Sequence, residues 1–195
     1  MQQEDLFATG SGAPPRELHR LFFALLPDEP TRERLHLAAQ GLKATHAPQG
    51  RWINPRRYHL TLQFLGDFDS LPPQVVQQAS AAAAMARVAP FTLLVDRAGS
   101  FRNRAIPWWL GPAQDVAPLN ALWDDLGTAL ARAGVRLPAG QGFRPHVTVL
   151  RDAGAALPET AIEPIEWRVE AFTLVHSVLG AHSAYSPLGT WALSQ

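Results

Sequence analysis

The pattern histidine, apolar, threonine, apolar occurs twice in this chain, as His-Leu-Thr-Leu at 59–62 and as His-Val-Thr-Val at 146–149. In a β-strand, side chains two residues apart point to the same face. Each predicted strand therefore has an imidazole and a hydroxyl on one face and two aliphatic side chains on the other. The aliphatic face can pack into a core, whereas the polar face can exchange a proton and hydrogen-bond an anion. Two such strands facing each other would supply an acid, a base and an anion clamp.

An ordinary pair of strands is the alternative interpretation at this point. Threonine is favoured in strands, and a histidine at a half-exposed strand position needs no chemical role. The surroundings of the second motif favour a site. Pro145 places His146 at the start of a strand or at a sheet edge, beside a loop, which is where binding residues commonly lie.

The composition excludes several classes of protein and of site. With 195 residues, 47% of them hydrophobic and 17% charged, the chain suits one folded domain or two small lobes with a shared core. It has no cysteine, which excludes disulfides, thiolate zinc sites and cysteine nucleophiles and is compatible with a cytoplasmic location. The formal net charge is zero, so no global field attracts nucleic acid. No apolar run is long enough to span a membrane.

The spacing of apolar and breaker residues predicts alternating strands and helices after a loose tail. Asp28 is the expected N-cap of a first helix that runs to about residue 45 and follows a buried strand over 21–26. The first motif lies in a predicted strand over 58–65 and the second in one over 143–151. The other expected elements are helices over 72–88 and 116–134, strands over 91–98 and 106–110, and a long hairpin of strands over 165–179 and 184–193.

Longer strings around both motifs carry a resemblance to a known family. They are, in chain order, residues 20–27 (RLFFALLP), 59–66 (HLTLQFLG), 109–111 (WLG), 143–152 (FRPHVTVLRD) and an ending that runs through Ser177 and 185–188 (YSPL) to 191–193 (WAL). In these strings the chain resembles the two-histidine (2H) phosphoesterases, and among them the RNA 2′,3′-cyclic phosphodiesterases, also called 2′-5′ RNA ligases.

The resemblance implies an α+β fold of two pseudo-symmetric lobes, in which mainly antiparallel sheets flank a central cleft and the helices lie outside. Residues 19–195 would form this single bilobal domain, with residues 1–18 as a flexible tail outside the resemblance. Each lobe would present one histidine strand to the cleft.

The resemblance also implies a pair of catalytic histidines and three residues that bind phosphate oxygens. The catalytic pair is His59 and His146, and the phosphate-binding residues are Thr61, Thr148 and Arg151. Strict alternation would place Arg151 on the face opposite His146, so we expect a bulge or the end of the strand to turn it back.

Three further residues are candidates for contacts with RNA. Tyr58 and Phe143 flank the motifs and can stack on a nucleobase, although aromatic side chains at strand ends are more often part of a core. Arg104 is a candidate because family members commonly have an arginine just before the Trp-Leu-Gly string. In this chain an apparent extra residue lies in that segment, which departs from the family pattern.

The implied activity is metal-independent hydrolysis of RNA or nucleoside 2′,3′-cyclic phosphates to 2′-phosphates, with His59 as the acid and His146 as the base. Attack by a 5′-hydroxyl in place of water would join RNA ends by a 2′-5′ bond. The implied partners are RNA ends or nucleotides with a cyclic phosphate, with no cofactor, metal or membrane, and we expect a monomer. The alternatives are another activity of the superfamily, on 2′-5′ oligonucleotides or RNA 3′ ends, and a non-catalytic RNA-end binding module.

Overall fold

The computed structural model describes residues 17–140, 142–179 and 185–194. The elements are β1 (Leu18–Leu25), α1 (Glu29–His46), β2 (Arg51–Trp52), a 3-10 helix (Pro55–Arg57), β3 (Leu60–Phe68), α2 (Pro73–Ala83), β4 (Phe91–Ser100), β5 (Trp108–Gly111), α3 (Ala117–Arg132), β6 (Val147–Arg151), β7 (Thr160–Val169), β8 (Ala171–Leu179) and β9 (Tyr185–Ala192). The predicted tail lies outside the described residues up to residue 16, and Leu18 already belongs to β1.

The strands of the described chain form one antiparallel sheet in the order β7-β4-β5-β6-β3-β1-β8-β9, with β2 alongside β6. The predicted α+β class with antiparallel strands is therefore confirmed. The order divides into two half-sheets, β7-β4-β5-β6 and β3-β1-β8-β9, and each contains one histidine motif. The half-sheets meet where β3 pairs with β6 through Leu60 and Val147.

The aliphatic side chains of both motifs lie in the core. Leu60, Leu62, Val147 and Val149 are each at most 3% exposed. The helices pack on this side: α1 contacts β7, α3 contacts β3, and α2 contacts α3 and β9. The histidines and threonines therefore face away from the helices. One core cluster draws residues from both half-sheets.

Local sequence signals determine where the helices begin and end. Asp28 caps α1 as predicted, because its carboxylate accepts a hydrogen bond from the Thr31 amide at 3.0 Å. The helix α2 is shorter than predicted: the guanidinium of Arg87 donates to the carbonyls of Ala84 and Ala86, just past the helix end. In the part of the chain that the structure describes, no helix is long and apolar enough to cross a membrane.

Both motif strands begin later than predicted. β3 begins at Leu60, after the 3-10 helix, and β6 begins at Val147. Pro145 contributes to this late start of β6, because it has no amide hydrogen to donate to a neighbouring strand. Both histidines therefore stand at the entrance of their strands. At its other end β3 does not stop at Gly66 but runs through it to Phe68, with the glycine at a φ of +142° that suits no other residue well.

The predicted terminal hairpin is confirmed only in part. β8 pairs with β9 along its length, but β7 pairs with β4 in the other half-sheet. The chain remains extended from β7 to β8 and changes partners at Glu170, so this segment runs from one half-sheet into the other. Apolar periodicity predicts an extended segment but does not specify which strand pairs with it.

Truncation of the central pair provides a test of this core. We expect Leu60→Ala to lower the free energy of unfolding by about 2–5 kcal/mol, because Leu60 is 1% exposed. The matched control is Leu94→Ala in β4, where the leucine is 43% exposed and the change should be about 0.5 kcal/mol or less. Urea unfolding measures both. Equal effects would contradict the burial of the motif's aliphatic face.

Candidate active site

The pair Leu60–Val147 brings the two histidine motifs together. Because β3 and β6 are antiparallel, extending their register by one residue on each side places His59 opposite Thr148 and Thr61 opposite His146. Residues directly opposite each other point to the same face, so all four polar side chains share one face of the sheet. The arrangement has an approximate two-fold axis through the central pair.

A bulge in each motif strand changes the direction of the side chains that follow. In β6, Trp109 pairs with Thr148 but Trp108 pairs with Leu150, so Val149 is an extra residue. Val149 and Leu150 are consecutive and both fully buried, and Arg151 consequently faces the cleft. Of the two expected alternatives, a bulge or the end of the strand, the structure shows the bulge.

The bulge in β3 occupies the equivalent position. Ala24 pairs with Thr61 and Phe23 with Gln63, so Leu62 is the extra residue. Phe64 then faces the cleft five residues after His59, as Arg151 does five residues after His146. The same backbone device therefore places a phenylalanine in one half-sheet and an arginine in the other.

The shared face carries a cleft with a cavity of about 370 Å³, which we call the first cavity. Its described lining residues include both histidines and three arginines but no carboxylate. They are Arg20, Phe22, Arg57, His59, Thr61, Phe64, His146, Arg151, Ser177, Leu179 and Tyr185. A cavity with this excess of positive charge suits an anion.

Hydrogen bonds fix the same tautomer in both histidines. The Nδ1 atom of His59 lies 2.8 Å from the carbonyl oxygen of Arg57, and that of His146 lies 2.6 Å from the carbonyl oxygen of Arg144. A carbonyl only accepts, so each Nδ1 carries a hydrogen and donates it. In the neutral imidazole, Nε2 is then the atom that accepts a proton, and in the imidazolium it is the atom that gives one away.

An aromatic ring packs against each histidine, and an arginine guanidinium lies over the face of that ring. The rings of His59 and Tyr185 meet edge to face with centroids 5.2 Å apart, and the Arg57 guanidinium lies 4.8 Å from the Tyr185 centroid. In the other half-sheet, Phe101 and the Arg144 guanidinium support His146 in the same way, at 4.7 and 5.3 Å. These contacts restrict the orientation of both imidazoles.

The surroundings of both histidines favour the neutral form. Burial lowers the pKa of His59 to about 4, and the positive charge of Arg151 acts in the same direction. Burial also lowers the pKa of His146, with contributions from the charges of Arg144 and Arg151. Both side chains are therefore neutral at pH 7 in the absence of an anion.

The three residues that are candidates for contacts with RNA lie in different surroundings. Tyr58 is 2% exposed and lies in the core, where burial raises its pKa to about 12, so the prediction of stacking by Tyr58 is wrong. Phe143 stacks on Trp123 with the ring planes at 14° and lines a second cavity beside His146. Arg104 is exposed in the turn after β4, outside the lining of both cavities.

Sequence reasoning missed the residues that support the histidines. Arg57 and Arg144 had a signal in the sequence, because the repeated pattern is longer than four residues: an arginine stands two positions before each histidine. Phe101 had none, and Tyr185 had only its place in the YSPL string of the resemblance, which gave it no role at the site. Within the described ranges, no three His, Asp or Glu side chains are placed to hold a metal ion.

Known proteins resemble the chain over most of its length. Residues 26–181 match the model of the 2′-5′ RNA ligase superfamily. The RNA 2′,3′-cyclic phosphodiesterase of Escherichia coli (strain K12) is 36% identical over 188 residues, which cover 92% of this chain and 99% of that protein. The crystal structure of E. coli LigT in apo form matches with a TM-score of 0.75 at 34% identity, covering 92% and 99% of the two chains. The structure of LigT complexed with 3′-AMP has a TM-score of 0.72.

Removal of one cation tests the electrostatics of the site. We expect Arg151→Met to raise the pKa of both His59 and His146, because its charge disfavours both imidazolium forms. The control is Arg51→Met, which removes an exposed guanidinium bonded to Asp152 instead. Histidine NMR titrations of the ligand-free protein measure both. Unchanged pKa values in Arg151→Met would contradict this arrangement.

Proposed function

This chain belongs to the 2′-5′ RNA ligase superfamily, and on that basis we propose that it is an RNA 2′,3′-cyclic phosphodiesterase, the name that its curated relatives carry. The observation that carries the proposal is that the pairing of Leu60 with Val147 brings His59 and His146 to one face of the sheet. The Nδ1 atom of each histidine donates a hydrogen bond to a backbone carbonyl. Opening a strained cyclic phosphate with water needs a base for the water and an acid for the leaving oxygen, on opposite sides of phosphorus.

In the proposed mechanism the phosphate lies between the two imidazoles. Neutral His146 removes a proton from water as the water oxygen attacks phosphorus. The bond from phosphorus to the 3′-oxygen breaks, and protonated His59 gives its proton to that oxygen. The product is a 2′-phosphate. The family resemblance assigns the acid to the first motif and the base to the second.

The substrate itself promotes the protonation that the acid requires. Burial and the nearby arginines hold both imidazoles neutral in the free enzyme. A bound phosphate is an anion, and a negative charge close to an imidazole raises its pKa. Binding of the substrate therefore favours a state in which one histidine is protonated and the other is neutral.

Three residues are proposed to hold the phosphate oxygens. Thr61 and Thr148 stand opposite the two histidines across the β3–β6 pair. Thr61 and Arg151 line the first cavity. Donors fixed around the phosphate stabilise the charge that develops on its non-bridging oxygens in the transition state. Phe64 in β3 occupies the position equivalent to Arg151 in β6. Of these two equivalent positions only one therefore supplies a positive charge, and that charge lies on one side of the site.

The proposed partners are RNA ends and nucleotides that carry a 2′,3′-cyclic phosphate. The related E. coli LigT has been crystallised with the nucleotide 3′-AMP. The mechanism uses no metal, so we expect hydrolysis to persist in EDTA. A monomer in the cytoplasm remains our proposal for the state and the location of the protein.

Replacement of either histidine tests the mechanism. We expect His59→Ala and His146→Ala each to reduce kcat/KM for a nucleoside 2′,3′-cyclic phosphate at least about 100-fold, because general acid–base catalysis contributes that much or more. The control is His46→Ala, an exposed histidine in the last turn of α1, which should keep wild-type activity. Circular dichroism confirms folding. A folded variant of either catalytic histidine with near wild-type turnover would disprove the mechanism.

The pH profile provides an independent test. Attack needs one protonated and one neutral histidine, and both pKa values lie below 6.5 in the free enzyme. The singly protonated form therefore declines as pH rises above the higher of the two pKa values. We expect kcat/KM to be bell-shaped with its maximum below pH 6.5 and to fall through pH 7. A maximum on the alkaline side of pH 7 would contradict the assignment.

A further inference from the structure

A second cavity of about 290 Å³ lies beside the first, and His146 lines both. Its lining combines three aromatic rings with two arginines and two carboxylates. The residues are Arg97, Phe101, Trp109, Pro112, Ala113, Asp115, Phe143, Arg144, Pro145, His146 and Glu159. The two cavities are therefore separated by the proposed catalytic base.

Strand register shows that the second cavity opens on the same face of the sheet as the first. Trp109 stands opposite Thr148 across β5 and β6, and opposite Gly99 across β5 and β4. Arg97, two residues from Gly99, shares that face. A ligand can therefore extend along this face from the first cavity, past His146, into the second.

Two glycines let Trp109 form the floor of the second cavity. A Cβ atom at Gly99 would lie 2.7 Å from Cζ2 of the indole, and one at Gly111 would lie 2.7 Å from the Pro145 carbonyl oxygen and 3.6 Å from the indole. The indole consequently lies flat over the sheet, with the Phe101 ring 5.8 Å away as a wall. The indole Nε1 is buried without a hydrogen-bond partner, which leaves one donor unsatisfied at this floor.

The charges of the two cavities differ in a way that separates their ligands. The first cavity has three arginines and no carboxylate among its described lining residues. Asp67 pairs with Arg20 from outside the lining, so the charges of Arg57 and Arg151 remain and favour a phosphate. In the second cavity Asp115 and Glu159 balance Arg97 and Arg144. Carboxylates repel a phosphate but accept hydrogen bonds from ribose hydroxyls and base amino groups. The second cavity therefore suits an uncharged nucleoside.

The volume of the second cavity is larger than hydrolysis needs. In an in-line displacement the entering and leaving oxygens lie on opposite sides of phosphorus, so the oxygen handled by His146 lies on its side of the phosphate. If that oxygen belongs to water, it needs about 30 Å³. The cavity of about 290 Å³ is close to the size of small-ligand pockets.

We propose that the second cavity binds a second nucleoside, the one whose 5′-oxygen exchanges a proton with His146. This inference rests on the proposed function. In ligation the 5′-oxygen attacks the cyclic phosphate and gives its proton to His146, while the bond to the 3′-oxygen breaks and that oxygen takes a proton from His59. The product is a 2′-5′ phosphodiester, and no further reactant is needed. In the reverse direction the 3′-hydroxyl attacks phosphorus and gives its proton to His59, the bond from phosphorus to the 5′-oxygen breaks, and that oxygen leaves with a proton from His146, which re-forms the cyclic phosphate.

Two substrates separate the roles of the two cavities. A nucleoside 2′,3′-cyclic phosphate has one nucleoside, and a 2′-5′-linked dinucleoside monophosphate has two. In the double variant Asp115→Asn/Glu159→Gln we expect kcat/KM for the dinucleotide to fall about tenfold or more, because each change weakens a hydrogen bond to a charged group. Hydrolysis of the cyclic mononucleotide should stay within about twofold. The matched control is Glu163→Gln on β7, outside both cavities, which should alter neither activity.

A binding measurement tests the subsite without turnover. In the presence of the product 2′-AMP, adenosine should shift the indole N–H signal of Trp109 in NMR spectra, with Trp109→Phe used to assign that signal. We expect a saturable shift in the wild type and a weaker one in the double variant.

The outcomes distinguish this inference from the proposed function. Equal loss of both activities in the double variant, or a wild type that hydrolyses cyclic phosphates but neither cleaves the dinucleotide nor shows the indole shift, would overturn the second subsite and leave the phosphodiesterase intact. A wild type that shows the indole shift but turns over neither substrate would support nucleoside binding in the second cavity and overturn the proposed activity, including the proton exchange with His146.

Discussion

The pairing of Leu60 with Val147 is the contact on which the rest of the site depends. It joins two half-sheets that would otherwise be separate layers, and it does so at the second residue of each motif. The buried side chains of the pair anchor the core beneath, while the residues on either side place both histidines and both threonines above it. One repeated pattern therefore builds the core and the site together, because a strand has two faces.

The two half-sheets have equivalent backbone arrangements but carry different side chains at equivalent positions. Equivalent bulges turn Arg151 into the cleft on one side and Phe64 on the other, and equivalent aromatic supports are Tyr185 for His59 and Phe101 for His146. The cavities differ in the same way, one with a surplus of arginines and the other with balanced charge. Opening a cyclic phosphate is itself asymmetric, since one side of phosphorus gains a group and the other loses one. A two-fold backbone arrangement with different side chains on its two sides suits that chemistry.

The sequence was informative wherever one strand or helix determines the outcome. The faces of both motif strands and the Asp28 cap follow from periodicity and local chemistry, and the structure confirms them. Periodicity alone would place Arg151 on the wrong face; the bulge that turns it back was one of two alternatives expected from the role that the resemblance implies for Arg151. The sequence was uninformative where the outcome depends on pairing between strands that are distant along the chain. Tyr58 is directly adjacent to its motif and Phe143 lies three residues before its own, yet Tyr58 is the one buried in the core. The partners of 165–179 depend on pairing across the sheet. Tyr185 and Phe101 reach the histidines only through such pairings.

In the proposed mechanism one phosphorus atom lies between two imidazoles that act only as acid and base. The most direct test is the stereochemical course of hydrolysis of a single diastereomer of a nucleoside 2′,3′-cyclic phosphorothioate in ¹⁸O-labelled water. A single in-line attack by water predicts inversion of configuration at phosphorus. Retention would show two successive displacements, with a histidine bonded to phosphorus in between, and would contradict the account.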